Sequence, residues 1–120
     1  MQVQLLKSKI HRARVTGGDL DYEGSLTIDS ALMEKVGLLP NERILVSNLD
    51  QIWRFETYAI PGKAGSGVII LNGAASFLGK PGDRLTIMSF ALLEAAEAKQ
   101  WQPRVIVLGE RNQIINERGL

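Results

Sequence analysis

The sequence predicts a mainly β protein, a small barrel or sandwich of six or seven short strands with two short helices. Short stretches rich in alternating or β-branched apolar residues recur along the chain, and clusters of Gly, Pro, Asn and Asp separate them. Only two segments have the composition of a helix. At 120 residues the chain is the size of one domain with a single hydrophobic core.

The first strand is expected from about Val3 to Thr16, where apolar and charged residues alternate, with Gly17, Gly18 and Asp19 breaking it. Ser25 to Asp29 reads as a short strand. Asp29 or Ser30 then caps a helix over Ala31 to Val36, which Gly37 ends. Pro40 and Asn41 open a turn into a strand at Arg43 to Asn48. The polar turn Asn48 to Gln51 joins it to another at Trp53 to Ala59. PGKAGSG, residues 61 to 67, is a loop by composition, and Val68 to Leu71 is a short apolar strand. PGD, residues 81 to 83, is a tight turn before Arg84 to Phe90. Ala91 to Gln100 favours helix, Arg104 to Leu108 is a last strand, and the tail to Leu120 is polar and partly ordered.

Composition removes several function classes. The chain is 45% hydrophobic and 22% charged, which is ordinary for a globular protein and not for a disordered one. Fourteen Lys and Arg face thirteen Asp and Glu, so the basic excess that a nucleic-acid binder uses to displace counterions is missing. Without cysteine there are no disulfides, thiolate zinc sites or cysteine nucleophiles. The first fifteen residues have neither an uninterrupted apolar stretch nor a small-residue cleavage site, and no apolar run approaches the ~20 residues that span a bilayer. A soluble, cytoplasmic protein with no membrane partner is expected.

Conventional catalytic sets are scarce. His11 is the only histidine, which excludes a multi-histidine metal site, and a lone histidine is more often a packed or surface residue. GAASFLGK, residues 73 to 80, has five residues between its glycines where a phosphate loop has four, and Pro81 stands in place of the metal-binding hydroxyl. GKAGSG lacks dinucleotide spacing. Lys7, Lys9, Arg12 and Arg14 form a basic run that by itself reads as a solvated strand face.

Taken together, other segments say more. KSKIHRARVT (residues 7 to 16), DLDYEGSLTID (19 to 29), RFETYAI (54 to 60) and ILNGAA (70 to 75) resemble, in order and spacing, the aspartate 1-decarboxylase family, and the resemblance runs on through PGD and WQPRVIVL. It implies a six-stranded double-psi β-barrel, a homotetramer, L-aspartate as substrate, and β-alanine for pantothenate and coenzyme A synthesis as product. It also implies a zymogen that cuts itself between Gly24 and Ser25. Residues 1–24 would become one chain and 25–120 another, with a pyruvoyl cofactor made from Ser25 at the start of the second.

Elementary chemistry agrees with those residue types. A serine hydroxyl can attack the preceding carbonyl through a five-membered ring and shift the acyl group from nitrogen to oxygen. Glycine at the attacked position removes a Cβ and permits unusual backbone angles. β-Elimination of the ester leaves dehydroalanine, which hydrolyses to pyruvoyl and ammonia. The resulting ketone is an electron sink, the task that pyridoxal phosphate performs elsewhere.

By resemblance, Thr57 donates to the Gly24 carbonyl during cleavage and Tyr58 protonates the carbanion. Arg54 and Lys9, with His11, bind carboxylate, Arg54 gripping the side-chain carboxylate that is retained. The NGAA segment, Asn72, Gly73, Ala74 and Ala75, offers backbone amides and little side-chain bulk, so that substrate and pyruvoyl can approach. Taken singly, each position has a plainer reading: a Gly–Ser turn, a β-branched strand residue, a packed aromatic, a polar helix cap. Gly17, Gly18, Asp21, Ser76 and Phe77 depart from the family pattern, the first three near the scissile bond. Two other readings stand beside this one, an unprocessed double-psi barrel acting as a binding module and a pyruvoyl decarboxylase for another amino acid.

Overall fold

The computed structural model describes all 120 residues. In chain order its elements are β1 (Gln2–Arg14), β2 (Gly17–Asp19), β3 (Leu26–Asp29), α1 (Ser30–Val36), β4 (Arg43–Asn48), β5 (Arg54–Gly62), β6 (Ile69–Asn72), a 3-10 segment (Gly73–Leu78), β7 (Arg84–Glu94), α2 (Ala95–Ala98), β8 (Arg104–Leu108), a second 3-10 turn (Glu110–Asn112) and β9 (Ile114–Arg118). The nine strands hydrogen-bond in the order β2-β6-β3-β5-β4-β7-β1-β8-β9. Parallel pairs (β2 with β6, β3 with β5, β1 with β8) mix with antiparallel ones, and the two end strands do not pair with each other.

The mainly β expectation holds, but the sheet has nine strands where six or seven were expected, and it is not closed. Gly17 to Asp19 is not a break. It is β2, extended against Ile70 to Asn72 of β6, and the neighbouring Thr16 N–H donates to Ile69 O at 2.8 Å. Backbone pairing outweighs the glycine penalty in so short an edge strand. The helix expected over Ala91 to Gln100 shrinks to Ala95–Ala98. Ala91 to Glu94 continue β7 because Gln2 to Leu5 of β1 offer them backbone partners, which overrides a helical propensity of a few tenths of a kcal/mol per residue. The polar tail is ordered as β9 on the edge of β8. Buried Asn112 anchors its start, donating to Arg14 O at 2.9 Å and Gly67 O at 2.7 Å while accepting from Arg14 N–H at 2.7 Å. Pro61 and Gly62, assigned to a loop, close β5 opposite Ile28 and Asp29.

Helix α1 forms as its sequence dictates. The Asp29 carboxylate accepts from Ala31 N–H at 2.9 Å, and Gly37, at φ 71°, closes the helix in the left-handed region. Leu32, Met33 and Val36 face the core, where they join Ile10, Leu26, Ile28, Ile44, Val46, Ile69, Leu71, Leu85 and Ile87. The Asp29 carboxylate also accepts from Gly65 and Gly67 N–H, so one buried side chain fixes both the helix start and the glycine-rich loop.

Strands β1 and β7 outrun their other neighbours. β8 pairs only with Ser8 to His11, and β4 only with Leu85 to Met88, so Gln2–Leu6 and Phe90–Glu94 project as a two-stranded arm. The molecule is accordingly 43 Å long and 27 by 25 Å across.

Candidate active site

Gly24 and Ser25 lie between the tight turn at Asp19 to Tyr22 and the start of β3. Both have positive φ, 117° at Gly24 and 89° at Ser25. A Cβ on Gly24 would meet nothing within 4 Å, so glycine is needed there for its backbone angle and not for space. Ser25 is not glycine, and holding it in that region costs about 1–3 kcal/mol. The surroundings must impose it.

Asn72 does so from two sides. Its backbone N–H donates to Ser25 O at 3.0 Å, while its side-chain Nδ2 donates to Ser25 Oγ at 3.0 Å and to Thr27 Oγ1 at 2.8 Å. Both Ser25 and Asn72 are buried. Antiparallel pairing of Leu26 with Leu71 sets the two strands in the register that this clamp needs. The next residue, Gly73, has φ 62°, and a Cβ there would sit 2.8 Å from both Gly24 N and Tyr22 O. The NG pair therefore holds Ser25 and lets the segment before it pass close by. Ala74 and Ala75, in the 3-10 segment, border with Gly24, Ser25, Thr57 and Asn72 a cavity of about 290 Å³.

Strand β5 has two faces. Phe55, Thr57 and Ala59 turn inward, and Phe55 and Thr57 reach the Ser25 cavity; Arg54, Glu56 and Tyr58 are exposed, with Glu56 also bordering the cavity. Thr57 and Tyr58 thus point to opposite sides, as neighbours on a regular strand must. On the open side the sheet registers align His11 with Thr86, Thr86 with Ser47 and Ser47 with Arg54. Lys9 lies two residues from His11 on the same face, in register with Met88.

The predicted residues therefore fall into two groups. Gly24, Ser25, Thr57, Asn72, Gly73, Ala74 and Ala75 come together at the cavity. Lys9, His11, Arg54 and Tyr58 share the open sheet face instead and do not line that cavity. The sequence reading missed Thr27, the second acceptor of Asn72, and Phe55 in the cavity wall. It also missed Ser47 and Thr86, which bond Arg54 and His11. The inward alternation of Phe55 with Thr57 was the only available signal for any of them.

Burial, then the cations Lys9, Arg12 and Arg118, hold the His11 pKa below its ordinary value of 6.5. The ring is neutral at neutral pH, so positive charge on this face comes from Lys9 and Arg54, and His11 contributes a hydrogen-bonding group. Its imidazole NMR signals should titrate below pH 6.5 in the folded protein, and Lys9→Gln should move the midpoint up. With a depressed folded pKa, the contribution of His11 to stability is complete above 6.5 and is lost as pH falls through the folded value. A midpoint at or above 6.5 would contradict this.

A single held serine beside a small cavity, on a mainly β scaffold, is the candidate site of a chain with no conventional catalytic set. The chain belongs to the aspartate decarboxylase family, whose model, described as "Aspartate decarboxylase", matches residues 1–115. It is similar to the aspartate 1-decarboxylase of Prosthecochloris aestuarii, 54% identical over 93% of this chain and 87% of that one. The aspartate 1-decarboxylase of Carboxydothermus hydrogenoformans is 50% identical over 96% and 91%. That of Thermoanaerobacter pseudethanolicus is 49% identical over 97% and 99%.

Proposed function

We propose that this chain decarboxylates L-aspartate to β-alanine and carbon dioxide, using a pyruvoyl group that it makes from Ser25 by cutting its own backbone after Gly24. Decarboxylation is the activity of the family to which the chain belongs; β-alanine serves pantothenate synthesis, and the setting is the cytoplasm. One observation carries the self-cleavage: Ser25 sits at a positive φ under the Asn72 clamp, directly after the positive φ of Gly24. The strain is relieved when the peptide bond between them breaks.

In the precursor, Ser25 Oγ attacks the Gly24 carbonyl carbon and the amide nitrogen leaves it, which gives an ester. Asn72 Nδ2 orients Oγ through its hydrogen bond, and Thr57 donates to the oxyanion that forms on the Gly24 oxygen. Loss of the Ser25 α-proton expels the residue 1–24 carboxylate and leaves dehydroalanine, and water then replaces its nitrogen as ammonia. The site fits the product: Gly24, Ala74 and Ala75 leave room at Ser25, and Asn72 keeps two donors aimed at that position. Held at position 25 by Asn72, the pyruvoyl group would supply an electron sink for decarboxylation. Arg54 and Lys9 hold the side-chain carboxylate of aspartate, His11 adds a hydrogen bond, and Tyr58 delivers the proton to Cα.

Because none of Lys9, His11, Arg54 and Tyr58 lines the Ser25 cavity of its own chain, a working site takes its Arg54 group from a neighbouring copy. A homotetramer meets that need, with the core strands of each protomer forming a six-stranded double-psi barrel. Light scattering at micromolar concentration should report about four protomers; a fully active monomer would exclude a shared site.

The decisive test is intact mass together with carbon dioxide release. Two fragments, split after Gly24, should accompany turnover of aspartate; an uncleaved chain that turns over aspartate would refute the proposal. Glutamate should be a poor substrate, since one extra methylene displaces either its carboxylate from Arg54 or its reacting end from productive geometry. Arg54→Lys keeps the charge but loses the planar fork, so kcat/KM should fall by roughly tenfold or more. Comparable rates on both amino acids would remove the carboxylate anchor.

A further inference from the structure

The two polar arms of the open face do not stand free. Arg54 Nε–H donates to Ser47 Oγ at 3.1 Å, and His11 Nδ1 lies 3.0 Å from Thr86 Oγ1. Ser47 and Thr86 are themselves direct cross-strand partners, so His11, Thr86, Ser47 and Arg54 form one continuous row. The geometry has a consequence at each end. A guanidinium bonded through Nε presents its two Nη groups away from that bond, as the fork that takes a carboxylate bidentately. An imidazole engaged at Nδ1 by a hydroxyl has its ring orientation set, and with it the direction in which Nε2 points. Thr86 is 6% exposed and β-branched, so its hydroxyl has little freedom to move.

We propose that Ser47 and Thr86 are positioning residues for substrate recognition, Ser47 fixing the Arg54 fork and Thr86 fixing the His11 ring. This rests on the reading of Arg54 as the carboxylate anchor. Neither hydroxyl touches substrate; each acts by removing the freedom of the side chain that does. An exposed arginine left to its stem samples many rotamers, and ordering it on binding weakens affinity without changing the chemical step.

The test uses the matured enzyme, with cleavage verified by mass for every variant. Ser47→Val, which keeps strand propensity but removes the hydroxyl, should raise KM for aspartate by about fivefold to tenfold, with kcat within about twofold. Ser47→Thr should restore the parental KM. In an Arg54→Ala background, Ser47→Val should change KM no further, because the interaction it removes is already gone. A distinct Arg54 Nε–H signal should be present in the parent and lost in Ser47→Val. The chain's one histidine makes the other end unambiguous. At about pH 8, above the ordinary histidine range, the nitrogen-15 signal of His11 Nδ1 should report its bond to Thr86 in the parent and should shift in Thr86→Val.

Equal damage from Ser47→Thr and Ser47→Val would overturn the proposal, as would an unchanged Nε–H signal or an unchanged His11 Nδ1 signal. A raised KM in Arg54→Ala beside an unchanged one in Ser47→Val would sink the positioning role alone. An unchanged KM in Arg54→Ala would sink the anchor itself, and the role of Ser47 in recognition with it.

Discussion

Ser25→Ala should remain a single folded chain with no detectable decarboxylase activity, while the parent protein matures into residues 1–24 and a second fragment beginning at position 25. That second fragment should be lighter than a serine start by one ammonia, since the nitrogen of residue 25 is exchanged for a ketone oxygen. The effect is all or none because Ser25 is both the nucleophile and the source of the group it becomes. Folding should survive. Alanine fits the volume, and the backbone bond from Asn72 N–H to the residue 25 carbonyl does not use the side chain. The removed Oγ leaves Asn72 Nδ2 one acceptor in Thr27 Oγ1, so the loss of stability should be on the order of 1 kcal/mol, read as a small drop in Tm. If Ser25→Ala still yields both fragments, the nucleophile assignment is wrong.

The sequence was most legible where local chemistry decides structure. Asp29, the apolar face of Leu32, Met33 and Val36, and Gly37 are a complete helix signal within nine residues, and α1 formed inside those limits. Strands β4 and β8 matched the expected bounds because alternating or continuous apolar runs marked them. Three elements were set by partners distant in sequence. The glycines of β2 have no strand propensity of their own, and extend because β6 offers a free edge. Ala91 to Glu94 prefer helix until the start of β1 pairs with them, and β9 is held by Asn112 and β8 against a polar composition. The site divides in the same way. Gly24 beside Ser25 could be read as permissive backbone, but that Asn72 would grip both Ser25 oxygens depends on the pairing of β3 with β6. The separation of Arg54 and Tyr58 from Thr57 follows from strand alternation alone. That Ser47 and Thr86 link Arg54 to His11 needed the registers of four strands.

Tyr58 and Thr57 are adjacent, and their separation across β5 makes a paired experiment possible. Thr57 is on the cavity side with Gly24 and Ser25, and Tyr58 is on the open side with Arg54, 37% exposed in the single chain. Thr57→Val is nearly isosteric and suits a strand, so it removes a donor without disturbing the fold. It should slow or block cleavage, because losing one donor to a developing oxyanion costs about 3 kcal/mol, roughly a hundredfold in rate. Tyr58→Phe should leave cleavage untouched, since no step of the backbone reaction requires a proton from that face. Its defect should come after carbon dioxide leaves, when Cα must be reprotonated. Loss of a positioned general acid typically costs ~100-fold to ~10,000-fold, which should be read in kcat with the fragment pattern normal. Fragment masses and carbon dioxide release, measured on the same preparations, separate the two roles. An uncleaved Tyr58→Phe chain would place its hydroxyl in maturation instead. A cleaved one with parental turnover would end its assignment as proton donor and shift the search to the other groups on that face, His11 and Lys9.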